Sequence, residues 1–309
     1  MQIKDFPVYL TMREKPVVTS QGYHLNGPSD VYTATYHQGD TLAQDTLEKP
    51  RVRFGEPHLT ERAVGPFPVG SGEPGVALIS RYRGPRFGRM FCLDRDGSPP
   101  TDLDLGAEPE GCAHVAPGGS EVILADIDEL DSYDLKTDDY VKLCKLPPNE
   151  SVRDLAINRD GARILVALGD KEDDLLPADK LAWFDRTTGK LESIPLKVKP
   201  EIEQMALSPD GHTLAAMTWW DLRLIDLSTG ESRPLSSSGW EGSPVSAAFT
   251  PDGSRLLFAC VGEDASDEHP YGRSHLYAVS PQGGPARLLL TDDHLQSAYP
   301  ADPTVAQST

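Results

Sequence analysis

The sequence has little of what redox, zinc and membrane proteins need. Its four cysteines, Cys92, Cys112, Cys144 and Cys260, are widely spaced and form no C-x-x-C pair, which favours small buried side chains over disulfides or a zinc site. No apolar run approaches the ~20 residues that span a bilayer. The N-terminal segment also lacks the apolar core of a secretory signal. We therefore predict a cytoplasmic protein.

Positive charge is scarce as well. The 309 residues include 29 Lys and Arg against 48 Asp and Glu, which gives a formal net charge of −19. Nucleic-acid binding requires clustered basic side chains, and anionic membrane surfaces attract the same groups. The composition therefore argues against both partners. It leaves open whether the acidity serves solubility or an acidic binding surface.

The sequence motifs of common catalytic sites are missing too. There is no G-x-S-x-G nucleophile elbow, no Ser-His-Asp or paired-carboxylate pattern, no phosphate-cradling glycine loop and no dinucleotide fingerprint. Any catalytic site would have to be assembled from residues that lie far apart in the sequence.

A recurring turn between two apolar runs is the strongest signal that the sequence does contain. Clear copies occupy 116–119, 158–161, 208–211 and 250–253, and weaker ones 69–72 and 299–302. In the clearest copies Pro presets φ, Asp bonds back to the backbone and Gly accepts positive φ. The spacing of about 40–50 residues indicates a structural repeat.

Six alternating segments, each interrupted by a turn, interleave with these turns. They span 31–47, 89–105, 132–146, 180–196, 222–235 and 275–290. Period-2 alternation around a Gly-containing turn predicts a pair of strands. Each repeat therefore holds four short antiparallel strands, and such repeats predict an all-β fold, the β-propeller.

We predict a single propeller domain over 1–309 with six blades; seven blades are the alternative. The approximate boundaries are 1–48 plus 293–303, 49–106, 107–148, 149–198, 199–237 and 238–292. In the first blade, a strand near the C-terminus is expected to lie innermost, beside N-terminal strands that include Phe6–Met12 or Pro16–Ser20. This mixed blade would close the ring.

At its turns the chain resembles a known repeat family. The segments L-S-P-D-G-H-T-L-A, F-T-P-D-G-S-R-L-L-F and I-N-R-D-G-A-R-I-L-V are similar to the WD40-like (PD40) repeats of the TolB propeller domain and of prolyl-oligopeptidase propellers. The resemblance is strong over 109–290 and degenerate elsewhere. It implies the fold. It does not imply peptidase activity, because the nucleophile motif is missing.

Polar residues recur at one position of the predicted innermost strands. That position holds Cys112, Asp154, Gln204, Ser246 and Gln296, and the residue two further on is mostly alanine. Small residues fit the crowding near the axis, but unpaired buried polar groups cost ~1–3 kcal/mol each. Two interpretations stay open: a ligand-binding ring around the axis, or a water-filled structural channel.

The predicted mouth loops, which join the second and third strands, differ between blades. Blade 2 offers Arg81 and Arg83, which suit a carboxylate or phosphate or else pair with the acidic loop of blade 3. Blade 5 offers Trp219 and Trp220, which suit stacking on a ring or anchoring a partner, or else wedging between blades. Trp240 is expected to join that patch.

Three residues are loose candidates for general acid–base catalysis: His275, Asp154 and Glu203. His275 enters the blade 6 hairpin, whereas Asp154 and Glu203 begin innermost strands, where burial would raise the pKa of a carboxyl group. No cofactor is predicted. The blade 6 loop at 263–275 is rich in Glu, Asp and His, which leaves a divalent metal ion open.

Together these features predict a TolB-like module that binds a protein or ligand through its axial mouth. The partner would be a protein, a peptide or a small molecule in the central channel, and neither nucleic acid nor a membrane. The alternative is a small-molecule enzyme (a lyase, isomerase or hydrolase) with its active site in the channel and, in one version, a bound metal.

Overall fold

The computed structural model describes a set of segments in which all regular secondary structure is β-strand. They are residues 5–13, 17–19, 22–24, 29–37, 41–43, 63–67, 77–82, 88–93, 101–103, 112–117, 121–125, 128–134, 136–173, 176–218, 221–235, 239–262, 273–291 and 295–300. None of these residues belongs to a helix long and apolar enough to cross a membrane.

The strands are short, and they follow one another at nearly even spacing. In chain order they are β1 (Asp5–Arg13), β2 (Val17–Thr19), β3 (Gly22–His24), β4 (Ser29–His37), β5 (Thr41–Ala43), β6 (Ala63–Phe67), β7 (Ala77–Tyr82), β8 (Gly88–Leu93), β9 (Thr101–Leu103), β10 (Ala113–Val115), β11 (Glu121–Ala125), β12 (Glu129–Asp134), β13 (Tyr140–Lys145), β14 (Glu150–Ile157), β15 (Arg163–Asp170), β16 (Lys180–Asp185), β17 (Lys190–Ser193), β18 (Gln204–Leu207), β19 (Thr213–Met217), β20 (Leu222–Asp226), β21 (Ser232–Pro234), β22 (Ser243–Phe249), β23 (Leu256–Val261), β24 (Ser274–Val279), β25 (Arg287–Thr291) and β26 (Leu295–Pro300).

The described strands form six four-stranded antiparallel sheets and one small hairpin, β2–β3. We name the sheets blades 1 to 6. Their strand orders are β26-β1-β4-β5, β6-β7-β8-β9, β10-β11-β12-β13, β14-β15-β16-β17, β18-β19-β20-β21 and β22-β23-β24-β25.

Contacts between neighbouring blades run in a circle. The first strands β10, β14, β18, β22 and β26 touch one another in that order, β26 also touches β6, and β10 touches β7. The first strand of each blade therefore lies innermost, next to a common axis. The predicted β-propeller is confirmed, whereas the number of blades in the whole chain and their exact boundaries stay predictions.

Blade 1 combines strands from both ends of the sequence. β26 pairs antiparallel with β1, from Val8 opposite Pro300 to Met12 opposite Leu295, and β1 pairs with β4 on its other side. Of the two candidate N-terminal segments, the nine-residue β1 enters the blade, because it offers a long ladder to both neighbours. The three-residue β2 pairs with β3 outside the blade.

The second strand of each blade explains how the blades pack. β15 is buried at all six interior positions, Ile164 to Gly169, since both of its faces are covered by neighbouring blades. The outermost β17 is mostly exposed.

Separate hydrophobic clusters fill the spaces between blades 3 and 4, 4 and 5, and 5 and 6. Burial of a side chain such as Phe184 or Phe258 stabilises the fold by about 1.5–3 kcal/mol.

The turns between the first two strands adopt the expected geometry. Gly161, Gly211 and Gly253 have φ of 71°, 74° and 70°. In the blade 5 turn, Asp210 accepts the N–H of His212 at 3.0 Å, the back-bond predicted for an aspartate here. We call this side of the propeller the turn end. The opposite side, where the first strands begin and the second and third strands are joined, is the mouth end.

Candidate functional site

Asp154 connects the innermost strands of blades 4 and 5 near the mouth end. It lies on β14, and its carboxylate accepts the N–H of Leu155 at 2.8 Å and the N–H of Met205 on β18 at 2.7 Å. An innermost strand has no sheet partner on its axial side, so N–H groups directed there need another acceptor. Asp154 provides this acceptor and thereby joins two blades.

The environment of Asp154 sets its protonation. Burial raises the pKa of this carboxyl group from 3.8 to about 7, although the bonds from Met205 and Leu155 act to lower it. The group therefore exchanges its proton near neutral pH. Burial, and then the negative charge of Asp154, raise the pKa of the Cys112 thiol well above its ordinary value. Such a thiol is a poor nucleophile.

A β-bulge interrupts several innermost strands near the mouth end. The ladder gains one extra residue at position 153 in β14, at 245 in β22 and at 65 in β6. The bulge residue has the same place in blades 4 and 6. Arg153 stands seven residues before the turn aspartate Asp160, and Val245 stands seven residues before Asp252. A bulge redirects the side chains around it, and bulges are common beside binding sites.

Four buried polar atoms at the mouth end have no hydrogen-bond partner among the residues that the structure describes. They are Ser151 Oγ, Arg153 Nε, Glu203 Oε1 and Ser246 Oγ. Ser151 and Ser246 are only 5% and 2% exposed. Leaving such an atom unpaired costs about 1–3 kcal/mol, unless water or a ligand makes the missing bond. The four atoms lie on or directly before the first strands of three consecutive blades, which makes this end of the axis the candidate site.

Arg153, the bulge residue of β14, fixes the mouth loop of blade 4. Its Nη2 donates to the carbonyl oxygens of Asp170 at 2.7 Å and Asp173 at 2.6 Å. The side chain crosses directly over Gly169, where a Cβ atom would lie 2.7 Å from Arg153 Nε. Glycine is therefore needed at 169 so that the guanidinium group can reach the loop.

Several ion pairs lie on the acidic surface of the mouth end in blades 3 to 5. The pairs are Asp128–Lys171 at 3.3 Å, Glu129–Lys142 at 2.7 Å, Glu150–Lys180 at 2.6 Å and Asp179–Lys199 at 2.5 Å. Asp128 and Lys171 belong to different blades, so their pair links two mouth loops. Within the described residues, no group of three or more His, Cys, Asp or Glu side chains converges to hold a metal ion.

The three acid–base candidates occupy different strands. Glu203 directly precedes the innermost strand β18, whereas Asp154, which was expected to begin an innermost strand, lies in the middle of β14. His275 lies on β24, the third strand of blade 6, where its Nδ1 bonds to Thr291 Oγ1 on the fourth strand at 3.0 Å. The imidazole is therefore engaged in the outer half of its blade.

The ligand-binding candidates divide into described and undescribed residues. Gln204 is exposed and Ser246 is buried, both at the mouth end. The backbone places Arg81 on β7 and Gln296 on β26. The remaining candidates lie outside the described residues: Arg83, Trp219 and Trp220, together with most of the blade 6 loop at 263–275.

Two residues of the sequence analysis take part in packing between blades. Ala156, two residues after Asp154, packs in the hydrophobic cluster between blades 4 and 5, so this small residue fills space between two blades. Trp240 packs against the core between blades 5 and 6, with its ring edge-on to Phe258 at 5.5 Å. Trp219 and Trp220 lie outside the described residues, so a patch shared with Trp240 stays a prediction.

Sequence reasoning missed Ser151 and Arg153. Both stand just before the recognised position 154, but a single extra residue in a strand leaves no mark on a period-2 pattern. The one available signal is Gly169, a glycine inside an otherwise apolar strand, which often marks a close approach by another group.

Comparisons with known proteins agree with this architecture. Neither a family model nor a curated protein matches the sequence. Among solved structures, TolB from Acinetobacter baumannii is similar with a TM-score of 0.60 and 14% identity over 96% of this chain and 66% of that one. A chain of a nidogen/laminin complex gives 0.62 and 10% over 96% and 98%. An oligogalacturonate lyase in complex with manganese gives 0.52 and 16% over 94% and 74%.

At these identities the likeness shows the fold alone. The chain is a β-propeller with TolB-like architecture, as the sequence predicts. It spans about two thirds of the length of the TolB chain. Membership of the PD40 repeat family stays a prediction.

Proposed function

We propose that this propeller is a binding module that takes a polar partner at the mouth end of its axis. The partner is a protein or peptide segment. Alternatively, the same surface binds a small polar molecule in the central channel. The observation that carries the proposal is a set of four buried polar atoms, on Ser151, Arg153, Glu203 and Ser246, for which the described part of the chain offers no hydrogen-bond partner.

The chemistry of these atoms describes the partner. Arg153 Nε is a donor, the Glu203 carboxylate is an acceptor, and the two serine hydroxyls act as either. An occupant that satisfies all of them must offer both donors and acceptors. A peptide backbone does so at every residue other than proline, which makes an exposed polar segment of another protein a suitable occupant.

The same proposal includes a cytoplasmic location and no cofactor. Three cysteines, Cys112, Cys144 and Cys260, are free, which suits a reducing compartment. Cell fractionation tests the location. Metal analysis of the purified protein tests the remaining alternative, a divalent ion held by the loop at 263–275.

Site-specific photo-cross-linking tests the binding surface. A photoreactive residue replaces either Gln204, exposed at the mouth end, or Glu192, exposed on the outermost strand of blade 4. We expect one defined cross-linked partner from position 204 and not from position 192. The Ser151→Ala/Ser246→Ala double variant should lower that yield by roughly tenfold, because buried hydrogen bonds to a partner are lost.

The matched control is Ser254→Ala, which alters a serine at the turn end. It should leave the cross-linked yield unchanged. Equal cross-linking from both positions, or an undiminished yield in the double variant with unchanged melting temperature, would count against the mouth as the binding surface.

One observation favours an enzyme as the second candidate. The pKa of Asp154 is about 7, and a carboxyl group that ionises near neutral pH is suited to general acid–base catalysis. A lyase, isomerase or hydrolase that used it would lose turnover in Asp154→Asn while still binding its substrate. A variant that retains turnover would remove this candidate.

A further inference from the structure

A short backbone bridge ties blade 4 to the link that leads into blade 5, at the mouth end. Ala178, in the mouth loop of blade 4, and Ile202, in the link, exchange two N–H···O bonds of 2.9 Å each. An ion pair between Asp179 and Lys199 at 2.5 Å accompanies them. We call these four residues the strap. Its bridge is the one isolated β-bridge among the residues that the structure describes.

The strap is held by few backbone bonds because a proline stops the bridge from growing into a ladder. Pro200 lies two residues before Ile202 and has no N–H group to offer. Separation of Ala178 from Ile202 therefore breaks only two backbone bonds, whereas separation of β14 from β15 would break a whole ladder.

Two buried polar atoms lie next to the strap on the blade 4 side. Asp179 donates its N–H to the carbonyl oxygen of Leu168 at 3.0 Å, and the following residue, Gly169, lies opposite Ser151. A Cβ atom on Gly169 would lie 2.7 Å from Arg153 Nε. Ser151 Oγ and Arg153 Nε are therefore close to the place where the strap joins blade 4.

A third such atom lies on the blade 5 side, because Glu203 directly follows Ile202. Its Oε1, like Ser151 Oγ and Arg153 Nε, is shut off from solvent and has no hydrogen-bond partner among the described residues. Unpaired polar atoms cost free energy while the strap is closed, and they gain water as a partner once it opens. The closed arrangement is therefore locally destabilised.

Apolar burial opposes this effect and holds the strap closed. Ala178 and Ile202 are both 0% exposed and pack in the hydrophobic cluster between blades 4 and 5. Opening would expose both side chains to water, which is unfavourable. Since the two effects act against each other, the strap is closed at rest but is less firmly held than the core strands behind it.

We propose that the strap is a gate, which opens locally and admits the partner to the buried polar atoms of the mouth end. The ladders of blades 4 and 5 stay intact when it opens, because the two bonds of the bridge are not part of them. What enters rests on the proposed function, whereas the opening is a property of this chain alone. The partner binds the open form and shifts the population towards it.

Native-state amide hydrogen exchange of the full chain, without a partner, tests the opening. The N–H groups of Ala178 and Ile202 should be at least about a hundredfold less protected than those of Leu165 and Val166 on β15, which exchange only through larger unfolding events. Equal protection at the two places would overturn the proposal.

Ser151→Ala distinguishes a gate from an ordinary loop fluctuation. It removes a hydroxyl group that is unpaired only in the closed form, so the protection of Ala178 and Ile202 should rise by about fivefold or more. Ser193→Ala, on the exposed outermost strand of blade 4, is the matched control and should leave this protection unchanged. Protection that stays the same or falls in Ser151→Ala contradicts the proposal.

A disulfide across the strap tests whether the gate controls binding. Ala178→Cys/Ile202→Cys places two thiols on a bridged pair, whose Cα atoms are roughly 5.5 Å apart, within the range that a disulfide spans. The oxidised variant should give at least about fivefold less cross-linking from position 204 than the same protein after reduction.

The outcomes of this experiment separate the two proposals. Undiminished cross-linking in the oxidised variant would refute the gate and leave the binding surface intact. A wild type that gives no cross-linked partner from position 204 would refute the binding surface, and the exchange data then decide about the gate alone.

Discussion

At the scale of single residues, Asp154 couples the stability of the propeller to pH. In the folded protein its pKa is about 7, against an ordinary value of 3.8. Between about pH 4 and pH 7 the folded chain therefore holds a proton that the unfolded chain has released. The free energy of unfolding falls as the pH rises through this window and stays at its lower level above it.

Asp154→Asn removes this dependence and retains the shape of the side chain. From pH 4 to pH 7 the wild type should lose up to ~4 kcal/mol relative to the variant. Urea unfolding of both proteins at several pH values measures the difference between their free energies of unfolding. All other groups titrate in both proteins, so their contributions cancel in this difference.

Asp210→Asn is the matched control for that experiment. Hydrogen bonds to the Asp210 carboxylate, above all the one from the Ser208 side chain, lower the pKa of this group from its ordinary value of 3.8. The stability that Asp210 contributes is therefore lost only as the pH falls below that value. The variant should therefore leave the slope between pH 4 and pH 7 unchanged. Parallel pH profiles for the wild type and Asp154→Asn would show that Asp154 is ionised throughout the range.

At the residue level, the repeat carries information about position within a strand. Alignment on the turns identifies position 154 and its equivalent 246, which lie on innermost strands, whereas a role for them in binding stays a prediction. It did not identify Met205 as the partner of Asp154, because that bond joins two blades. Contacts between repeats depend on how the sheets are rotated about the axis, and no local pattern in the chain records that rotation.

At the scale of structural elements, Arg153 and Gly169 form one unit with the loop between β15 and β16. Gly169→Ala would place a Cβ atom 2.7 Å from Arg153 Nε, so the arginine must leave the carbonyl groups of Asp170 and Asp173. We expect a loss of about 1–2 kcal/mol in the free energy of unfolding. Faster amide hydrogen exchange in residues 171–173 should accompany it.

A double-mutant cycle shows whether this mechanism is correct. In an Arg153→Ala background the guanidinium group is already absent, so Gly169→Ala should cost less than about 0.5 kcal/mol there. Additive losses in the double variant would mean that the alanine methyl group clashes with something other than Arg153.

The strands themselves were largely predictable, whereas their irregularities were not. The sequence of a second strand such as β15 is a continuous apolar run, because both faces of the strand are covered by neighbouring blades. The sequence of a fourth strand such as β17 is mostly polar. The bulge at position 153 shifts the ladder by one residue, and the sequence on either side looks like an ordinary strand. The site depends on that shift, and so its polar atoms became visible only in three dimensions.

At the scale of the whole molecule, the pairing of β26 with β1 holds the ring together. Deletion of residues 292–309 removes β26 together with its contacts to β1, β6 and β22. We expect the melting temperature to fall by roughly 10 °C or more, because a full inner strand contributes several kcal/mol. Scanning calorimetry measures the change.

Deletion of residues 301–309 alone is the control, since it leaves β26 in place. It should melt within a few degrees of the full chain. A full deletion that melts like the control would show that the strand pairing at blade 1 does not determine global stability.

The partners in that pairing, Val8 and Pro300, are almost a whole chain length apart. At roughly 5–20 residues per second of synthesis, β1 is made many seconds before the strand that lies beside it. Throughout that interval the inner edge of β1 is exposed to other nascent chains, and the growing propeller is an open arc. Synthesis of β26 then supplies the partner of β1 and closes this arc into a ring.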